Sequence, residues 1–212
     1  MTPATTPLLH DGPEDGPVLV LAHGAGAPMD SGFMTQMAGL LAGSGVHVVR
    51  FEFAYMHASR ADGKRRPPPR VPGLIEEFRQ VLAQIGQAPV FIGGKSMGGR
   101  VASMMAADEQ PGDAIAGLVC LGYPFHPPGK PESLRTQHLP AIKCPALIVQ
   151  GERDPLGSAQ DVAGYDLPAH IQVIWSPFGN HDLAPPKRSG RTVEENWQAA
   201  ALAIAAFVSE NT

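Results

Sequence analysis

Short apolar runs alternate with helix-like segments along most of this chain of 212 residues. A short, continuous apolar run is typical of a strand buried on both faces, whereas apolar residues spaced three and four apart are typical of a helix packed on one side. Strands that alternate with helices form a mostly parallel sheet with helices on both faces. The sequence therefore predicts a doubly wound α/β fold.

The predicted elements are about six strands and four flanking helices. The strands are 18–22, 46–53, 90–92, 115–121, 146–149 and 171–175, and the helices are 33–42, 73–85, 97–107 and 192–208. Residues 54–72 and 122–140 contain clustered prolines, so we predict neither regular helix nor inner strand there. No linker or repeat divides the chain, and its length suits one core, so we predict a single domain over residues 1–212.

Charge and composition exclude several classes of protein. The formal net charge of -4 gives no electrostatic basis for binding nucleic acid or an anionic membrane surface. Residues 1–7 lack a basic region followed by an apolar segment, so we expect no secretory signal. The longest apolar stretch, 199–208, is about half of a membrane-spanning length and is predicted to be a buried helix. Cys120 and Cys144 lie at or beside predicted strands without metal-ligand spacing, which suggests a reducing, cytoplasmic environment.

The segment Gly94-Lys95-Ser96-Met97-Gly98 lies between a predicted strand and a predicted helix. A G-x-S-x-G pattern in that context is typical of a nucleophile elbow, a sharp turn that displays a serine hydroxyl. The glycines fit because the strained turn leaves little room for side chains beside the serine. Gly-Lys-Ser also ends a phosphate-binding loop, but that motif needs a glycine where this chain has Pro89. We therefore interpret Ser96 as the candidate nucleophile.

A serine hydroxyl is a weak nucleophile, so it needs a base, and the base needs a group that orients it. In doubly wound sheets such groups lie on loops after the carboxyl ends of strands. Asp154 and His181 follow the last two predicted strands, and the order Ser96, Asp154, His181 is that of an α/β-hydrolase triad. Glu152 stays an alternative acid, whereas Asp182 is too close to His181 in sequence to point at its ring.

Acyl transfer also needs donors for the oxyanion that develops in the transition state, and backbone N–H groups can supply them. We predict that one donor is Met97, the residue after the candidate nucleophile. The other is predicted to be Ala25, in the glycine-rich loop after the first strand. His23, at the start of that loop, is expected to pack beneath it rather than to titrate.

Other polar residues are weaker candidates for substrate contact. Arg50, Glu52 and Tyr55 lie at and just beyond the end of the second strand and could line the pocket. Charges at alternate positions of a strand, however, more often mark a structural ion pair. The basic cluster between Lys64 and Arg70 could attract an acidic substrate, but a solvated loop is the favoured interpretation. We assign no chemistry to His10, His47, His57, His126, His138 and His170.

Together these residues resemble the α/β-hydrolase superfamily from about Val18 to the C-terminus. Longer strings resemble a small dienelactone-hydrolase-like branch, which includes testis-expressed α/β-hydrolase-like proteins and the hydrolase-like subunit of a histone acetyltransferase complex. The strings are His23 to Ser31, Arg50 to Phe53, Gly93 to Arg100, Leu121 to Pro128, and His181-Asp182. The resemblance implies a compact hydrolase without a large cap domain and with catalytic Ser96, Asp154 and His181.

We therefore predict a serine hydrolase that cleaves a small ester or thioester through an acyl-enzyme, without a metal or organic cofactor. The short chain leaves little material for a lid, so we expect a shallow pocket that prefers small acyl groups. A non-catalytic binding protein with the same fold is one alternative, although no triad member is lost. An acyltransferase or a carrier-linked thioesterase is another. Nothing in the sequence decides the oligomeric state.

Overall fold

The structure, a computed structural model, describes residues 6–86, 89–110 and 112–212. Residues 1–5, part of the segment expected to hold no secretory signal, lie outside these ranges. Seven strands form one sheet in the order β1-β3-β2-β4-β5-β6-β7. They are β1 (Leu8–Asp11), β2 (Val18–Ala22), β3 (His47–Phe51), β4 (Val90–Lys95), β5 (Ile115–Leu121), β6 (Ala146–Gly151) and β7 (Ile171–Ser176).

The sheet is parallel except at one edge, where β1 runs antiparallel to β3. The six predicted strands are all present, which confirms the doubly wound α/β fold, but the prediction of about six strands omitted β1. That strand is four residues long and partly exposed. A short strand paired on only one side carries too little hydrophobic periodicity to be recognised.

The helices cover both faces of the sheet. They are α1 (Gly32–Gly43), α2 (Ala54–Asp62), α3 (Val71–Ile85), α4 (Met97–Ala107), α5 (Ala159–Val162) and α6 (Val193–Glu210). On one face, α1 and α6 bury apolar side chains such as Met37 and Ile204 in a shared core cluster. On the other face, α3 and α4 bury residues such as Phe78 and Met105. The two clusters are the layers that a doubly wound sheet requires.

The prediction of irregular structure for residues 54–72 is wrong over its first half, which forms α2. The prolines of that segment begin only at Pro67, so nothing in residues 54–62 opposes a helix, and Gly63 ends it with a φ of 71°. Pro72 lies in the first turn of α3, where its missing N–H removes no helical hydrogen bond. Residues 122–140 are irregular as predicted, apart from a 3-10 turn at Leu139–Ala141.

The closing helix α6 begins as predicted, with a capping box between Thr192 and Glu195. Its apolar stretch is buried on one side, whereas Leu202 is exposed to solvent. In the ranges that the structure covers, we find no helix with the length and apolar character needed to cross a bilayer.

Parallel strands place the residues that follow them at one edge of the sheet. Ser96 follows β4, Asp154 follows β6 and His181 follows β7, while the loop after β2 carries Ala25. The fold therefore gathers all the candidate catalytic groups at the carboxyl edge, where open α/β sheets bind ligands.

Candidate active site

Ser96 lies at a tight turn between β4 and α4. Its φ of 53° and ψ of -114° are values that a residue with a side chain rarely adopts. The flanking glycines make the turn possible, because a Cβ on Gly94 would lie 2.4 Å from the Ala22 carbonyl oxygen and one on Gly98 would lie 2.5 Å from the same atom. A side chain at either position would therefore collide with β2. With glycines there, β2 and α4 can lie close together and the turn displays the serine hydroxyl at the edge of the sheet.

A continuous chain of hydrogen bonds joins Ser96, His181 and Asp154. His181 Nε2 lies 2.8 Å from Ser96 Oγ, and His181 Nδ1 lies 2.8 Å from Asp154 Oδ2. Because a carboxylate only accepts hydrogen bonds, Nδ1 carries the ring proton and Nε2 is free to accept one from the serine. The arrangement is the one in which a serine hydroxyl can lose its proton to an imidazole.

Asp154 is held rigidly beneath the histidine. The residue is fully buried, and its carboxylate also accepts hydrogen bonds from Gln150 Nε2 and from the Leu156 backbone N–H, each at 2.9 Å. These donors offset the desolvation of the buried charge. Glu152, the alternative acid, instead accepts a hydrogen bond from the Phe178 backbone N–H.

The two predicted oxyanion donors are Met97, which follows the serine, and Ala25, which lines the same cavity as the serine. Met97 is the first residue of α4, so its N–H has no acceptor within the helix. Ala25 is exposed in the loop after β2 and lines the cavity beside Ser96. His23 lies buried under this loop, with Nδ1 2.6 Å from the Gly24 carbonyl oxygen. Burial lowers the pKa of His23, so the ring serves the loop as a neutral group.

The loop that carries Ala25 is tied to α2 by Tyr55. The Tyr55 hydroxyl donates a hydrogen bond to the Ala25 carbonyl at 3.0 Å and lies 4.0 Å from Met97 Sδ. In the sequence, Tyr55 is a candidate for lining the pocket. The structure instead leaves Tyr55 out of the cavity wall and places its hydroxyl in contact with both predicted oxyanion-donor residues.

Arg50 and Glu52 also do not reach the cavity. Arg50 pairs with Asp11 at 2.9 Å and donates to the Met29 carbonyl at 2.8 Å. Glu52 pairs with Arg60 at 2.6 Å. Both residues therefore form ion pairs, as the alternating charges suggested. They do not pair with each other, because the partner of Arg50 is Asp11 and that of Glu52 is Arg60. Asp11 lies on β1 and Arg60 on α2, and the sequence indicated neither element.

Lys95, which the sequence analysis did not single out, lies against the triad. Its side chain is only 8% exposed, and Nζ donates to the His181 carbonyl oxygen at 2.9 Å and lies 3.2 Å from Asp182 Oδ1. Nζ also lies 5.3 Å from the centre of the Phe33 ring. Burial lowers the pKa of the Lys95 ammonium, partly offset by Asp182. A lysine that ends an apolar strand next to the nucleophile was the available signal.

The cavity beside Ser96 is small and open. Its volume is about 300 Å³, and its wall includes the loop 24–27, Ser31, Phe33, Met34 and Lys95. Among the described residues, no three His, Cys, Asp or Glu side chains converge in the way that a metal site requires.

Most of the chain matches one family. The family described as alpha/beta hydrolase domain matches residues 15–209. This span contains strands β2 to β7 and leaves out β1. The chain belongs to the α/β-hydrolase family. Membership agrees with the turn at Ser96 and with the order of the strands in the sheet.

Solved structures of other α/β hydrolases share the architecture. A dienelactone hydrolase from Anabaena variabilis superposes with a TM-score of 0.70 at 19% identity, covering 96% of this chain and 92% of the other. Est1E from Butyrivibrio proteoclasticus superposes with a TM-score of 0.70 at 16% identity, covering 96% of this chain and 93% of Est1E. XC6422 from Xanthomonas campestris is an α/β serine hydrolase without a lid. It superposes with a TM-score of 0.65 at 19% identity, covering 92% of this chain and 86% of XC6422. At these identities the likeness concerns the fold.

Proposed function

We propose that this α/β hydrolase cleaves small esters or thioesters through an acyl-enzyme intermediate, with Ser96, His181 and Asp154 as the catalytic residues. The observation that carries the proposal is the unbroken hydrogen-bonded chain from the Ser96 hydroxyl through the imidazole to a fully buried carboxylate. A binding protein that had lost catalysis would have no need to keep all three groups in this geometry. The dienelactone hydrolase and the lidless serine hydrolase among the solved structures agree with this reaction class.

Ser96 Oγ attacks the substrate carbonyl carbon while its proton passes to His181 Nε2. The Asp154 carboxylate stabilises the imidazolium that forms, and the Ala25 and Met97 N–H groups hold the oxyanion. When the carbonyl re-forms, the bond to the alcohol or thiol breaks, and His181 returns the proton to that leaving group. Water then repeats the sequence on the acyl-serine, releasing a carboxylic acid and free enzyme.

The pocket favours a short acyl group. A volume of about 300 Å³ lies at the lower end of what small-molecule pockets offer, and Phe33 and Met34 provide its apolar wall. The free thiols of Cys120 and Cys144 support our further proposal that the protein works in the cytoplasm.

Hydrolysis of p-nitrophenyl esters of increasing chain length tests the proposal. We expect turnover of the acetate and butyrate, a lower kcat/KM for the decanoate, and loss of turnover in Ser96→Ala. Ser209→Ala is the matched control, because Ser209 is exposed on α6 and its loss should leave turnover unchanged. Equal activity of wild type and Ser96→Ala would refute the assignment of the nucleophile.

A further inference from the structure

Lys95 differs from the other lysines of the chain in its surroundings. Its side chain is 8% exposed, whereas the other lysines are exposed to solvent: Lys64, Lys130, Lys143 and Lys187. Taking an ammonium group out of water is costly, so folded proteins keep a buried lysine only where partners repay part of that cost. The partners of Lys95 therefore indicate what its side chain does.

The hydrogen-bonding partners of the Lys95 ammonium group lie on the segment that carries the proposed base. Nζ donates to the His181 carbonyl oxygen at 2.9 Å and lies 3.2 Å from Asp182 Oδ1. The contact joins the end of β4 to the loop after β7, 86 positions further along the chain. Because Ser96 directly follows Lys95, two consecutive residues hold His181. Lys95 holds its backbone carbonyl, and Ser96 Oγ lies 2.8 Å from its Nε2.

The loop that carries the proposed base has an unfavourable backbone conformation near both of its ends. Phe178 and Leu183 have φ angles of 57° and 62°, in the left-handed region that residues with a side chain rarely adopt. A backbone persists in such a conformation only where surrounding contacts fix it. Trp197 Nε1 donates to the Asp182 carbonyl at 2.8 Å and so ties the loop to α6. Lys95 ties the same loop to the strand that ends at the proposed nucleophile.

We propose that Lys95 is a positioning residue, which holds His181 at hydrogen-bonding distance from Ser96 through the His181 carbonyl. The inference rests on the proposed function, in which His181 moves the proton in both acylation and deacylation. Without the ammonium group, the His181 carbonyl loses this donor and the loop loses its tie to β4. A reacting group that is misplaced by about 1 Å can cost about 10²-fold in rate. The contact therefore affects kcat.

A direct contact with substrate is the alternative, because Lys95 also lines the cavity. Its Nζ lies 5.3 Å from the centre of the Phe33 ring, which lines the cavity too. The ammonium group is already paired with the Asp182 carboxylate, so a substrate would meet a charge that is largely neutralised. The two roles differ in their kinetics. A lysine that binds substrate acts on KM, whereas a lysine that positions the base acts on kcat.

Steady-state hydrolysis of p-nitrophenyl acetate by Lys95→Met tests the proposal. Methionine keeps an unbranched side chain and removes the ammonium group. We expect kcat to fall between about 10-fold and 10²-fold. We expect KM to change less than about twofold, because His181 acts in both half-reactions and both slow together. An unchanged kcat, or a raised KM with kcat retained, would overturn the proposal.

Lys143→Met is the matched control. Lys143 is exposed and precedes β6, so it lies at the opposite edge of the sheet from the cavity, and its loss should leave kcat and KM unchanged. Urea unfolding shows whether each variant is folded under the assay conditions. Lys95→Leu, which also removes the ammonium group, is a second variant with the same expected kinetics.

The second measurement does not need turnover. The Nδ1 proton of His181, donated to Asp154 Oδ2 at 2.8 Å, gives a proton NMR signal far downfield of the backbone amides. We expect this signal in wild type and Lys143→Met, its absence in His181→Ala, and its broadening or loss in Lys95→Met. An equally sharp signal in Lys95→Met would overturn the proposal. Absence of turnover in wild type, with the signal still altered in Lys95→Met, would refute the proposed hydrolysis and support the positioning role.

Discussion

Replacing Tyr55 by Phe tests whether the loop that carries Ala25 must be held in place for catalysis. The substitution keeps the ring, which is largely buried against His23 and Phe53, and removes only the hydroxyl that donates to the Ala25 carbonyl. Burial raises the pKa of Tyr55, so the hydroxyl remains a donor throughout any accessible pH range. The variant therefore isolates one hydrogen bond.

The structure sets the size of the expected effect. Loss of a complete oxyanion donor lowers kcat by about 10²–10³-fold. Tyr55 acts only through the loop, whose other contacts remain, so we expect kcat to fall about tenfold, equivalent to about 1.4 kcal/mol. Because Ala25 is exposed, water can replace the lost donor, and we expect the free energy of unfolding to fall by no more than about 1 kcal/mol.

Steady-state hydrolysis of p-nitrophenyl acetate measures kcat and KM separately, and urea unfolding measures stability. We expect the loss in kcat with KM changed less than about twofold, because the oxyanion contact develops in the transition state. Tyr165→Phe is the matched control, since the buried Tyr165 hydroxyl has no partner among the described residues. An unchanged kcat in Tyr55→Phe, or an equal loss in Tyr165→Phe, would refute the reasoning.

Three further predictions concern the triad, the elbow and the acid stability of the fold. Asp154→Asn removes the carboxylate that accepts from His181 Nδ1, so kcat for p-nitrophenyl acetate should fall by about 10⁴-fold while the protein stays folded by circular dichroism. Gly98→Ala places a Cβ 2.5 Å from the Ala22 carbonyl and should lower the free energy of unfolding in urea by about 1–3 kcal/mol. Gly39→Ala, where a Cβ meets nothing within 4 Å, should leave that free energy unchanged or raise it. Lowering the pH from about 7 to 5 should destabilise wild type by about 1 kcal/mol more than His138→Gln, because the unfolded state takes up a proton near pH 6.5 whereas the folded-state pKa of His138 is about 4. An equal fall in the two free energies of unfolding between pH 7 and pH 5 would contradict a lowered pKa of His138.

The arrangement of Ser96, His181 and Asp154 could be predicted from the sequence, because the turn at the serine and the order of the parallel strands determine it. The elbow requires glycines within two residues of Ser96, and the parallel sheet places whatever follows β6 and β7 beside it. Asp154 and His181 are thus brought to the serine by topology alone, and the structure places them there. The choice of Asp154 over Glu152 depended only on its distance from the strand end.

The partners of Arg50 and Glu52 could not be predicted, because they lie on elements that leave no periodic signal. Arg50 bonds to Asp11 on the short edge strand β1, and Glu52 bonds to Arg60 on α2, beside a proline-rich stretch that resembles a loop. The direction in which a side chain points could not be predicted from the sequence either. Tyr55 lies near the predicted pocket in sequence, yet its hydroxyl points to the back of the loop rather than into the cavity.

Covalent labelling with a fluorophosphonate tests the central claim most directly, because the probe reacts only with a serine that a neighbouring base activates. The adduct should be located by peptide mass spectrometry in wild type, in Ser96→Ala and in His181→Ala. We predict one adduct per wild-type chain, on Ser96, with none in Ser96→Ala and strongly slowed labelling in His181→Ala. A folded wild-type protein that does not label, or labels at another serine, would contradict the account.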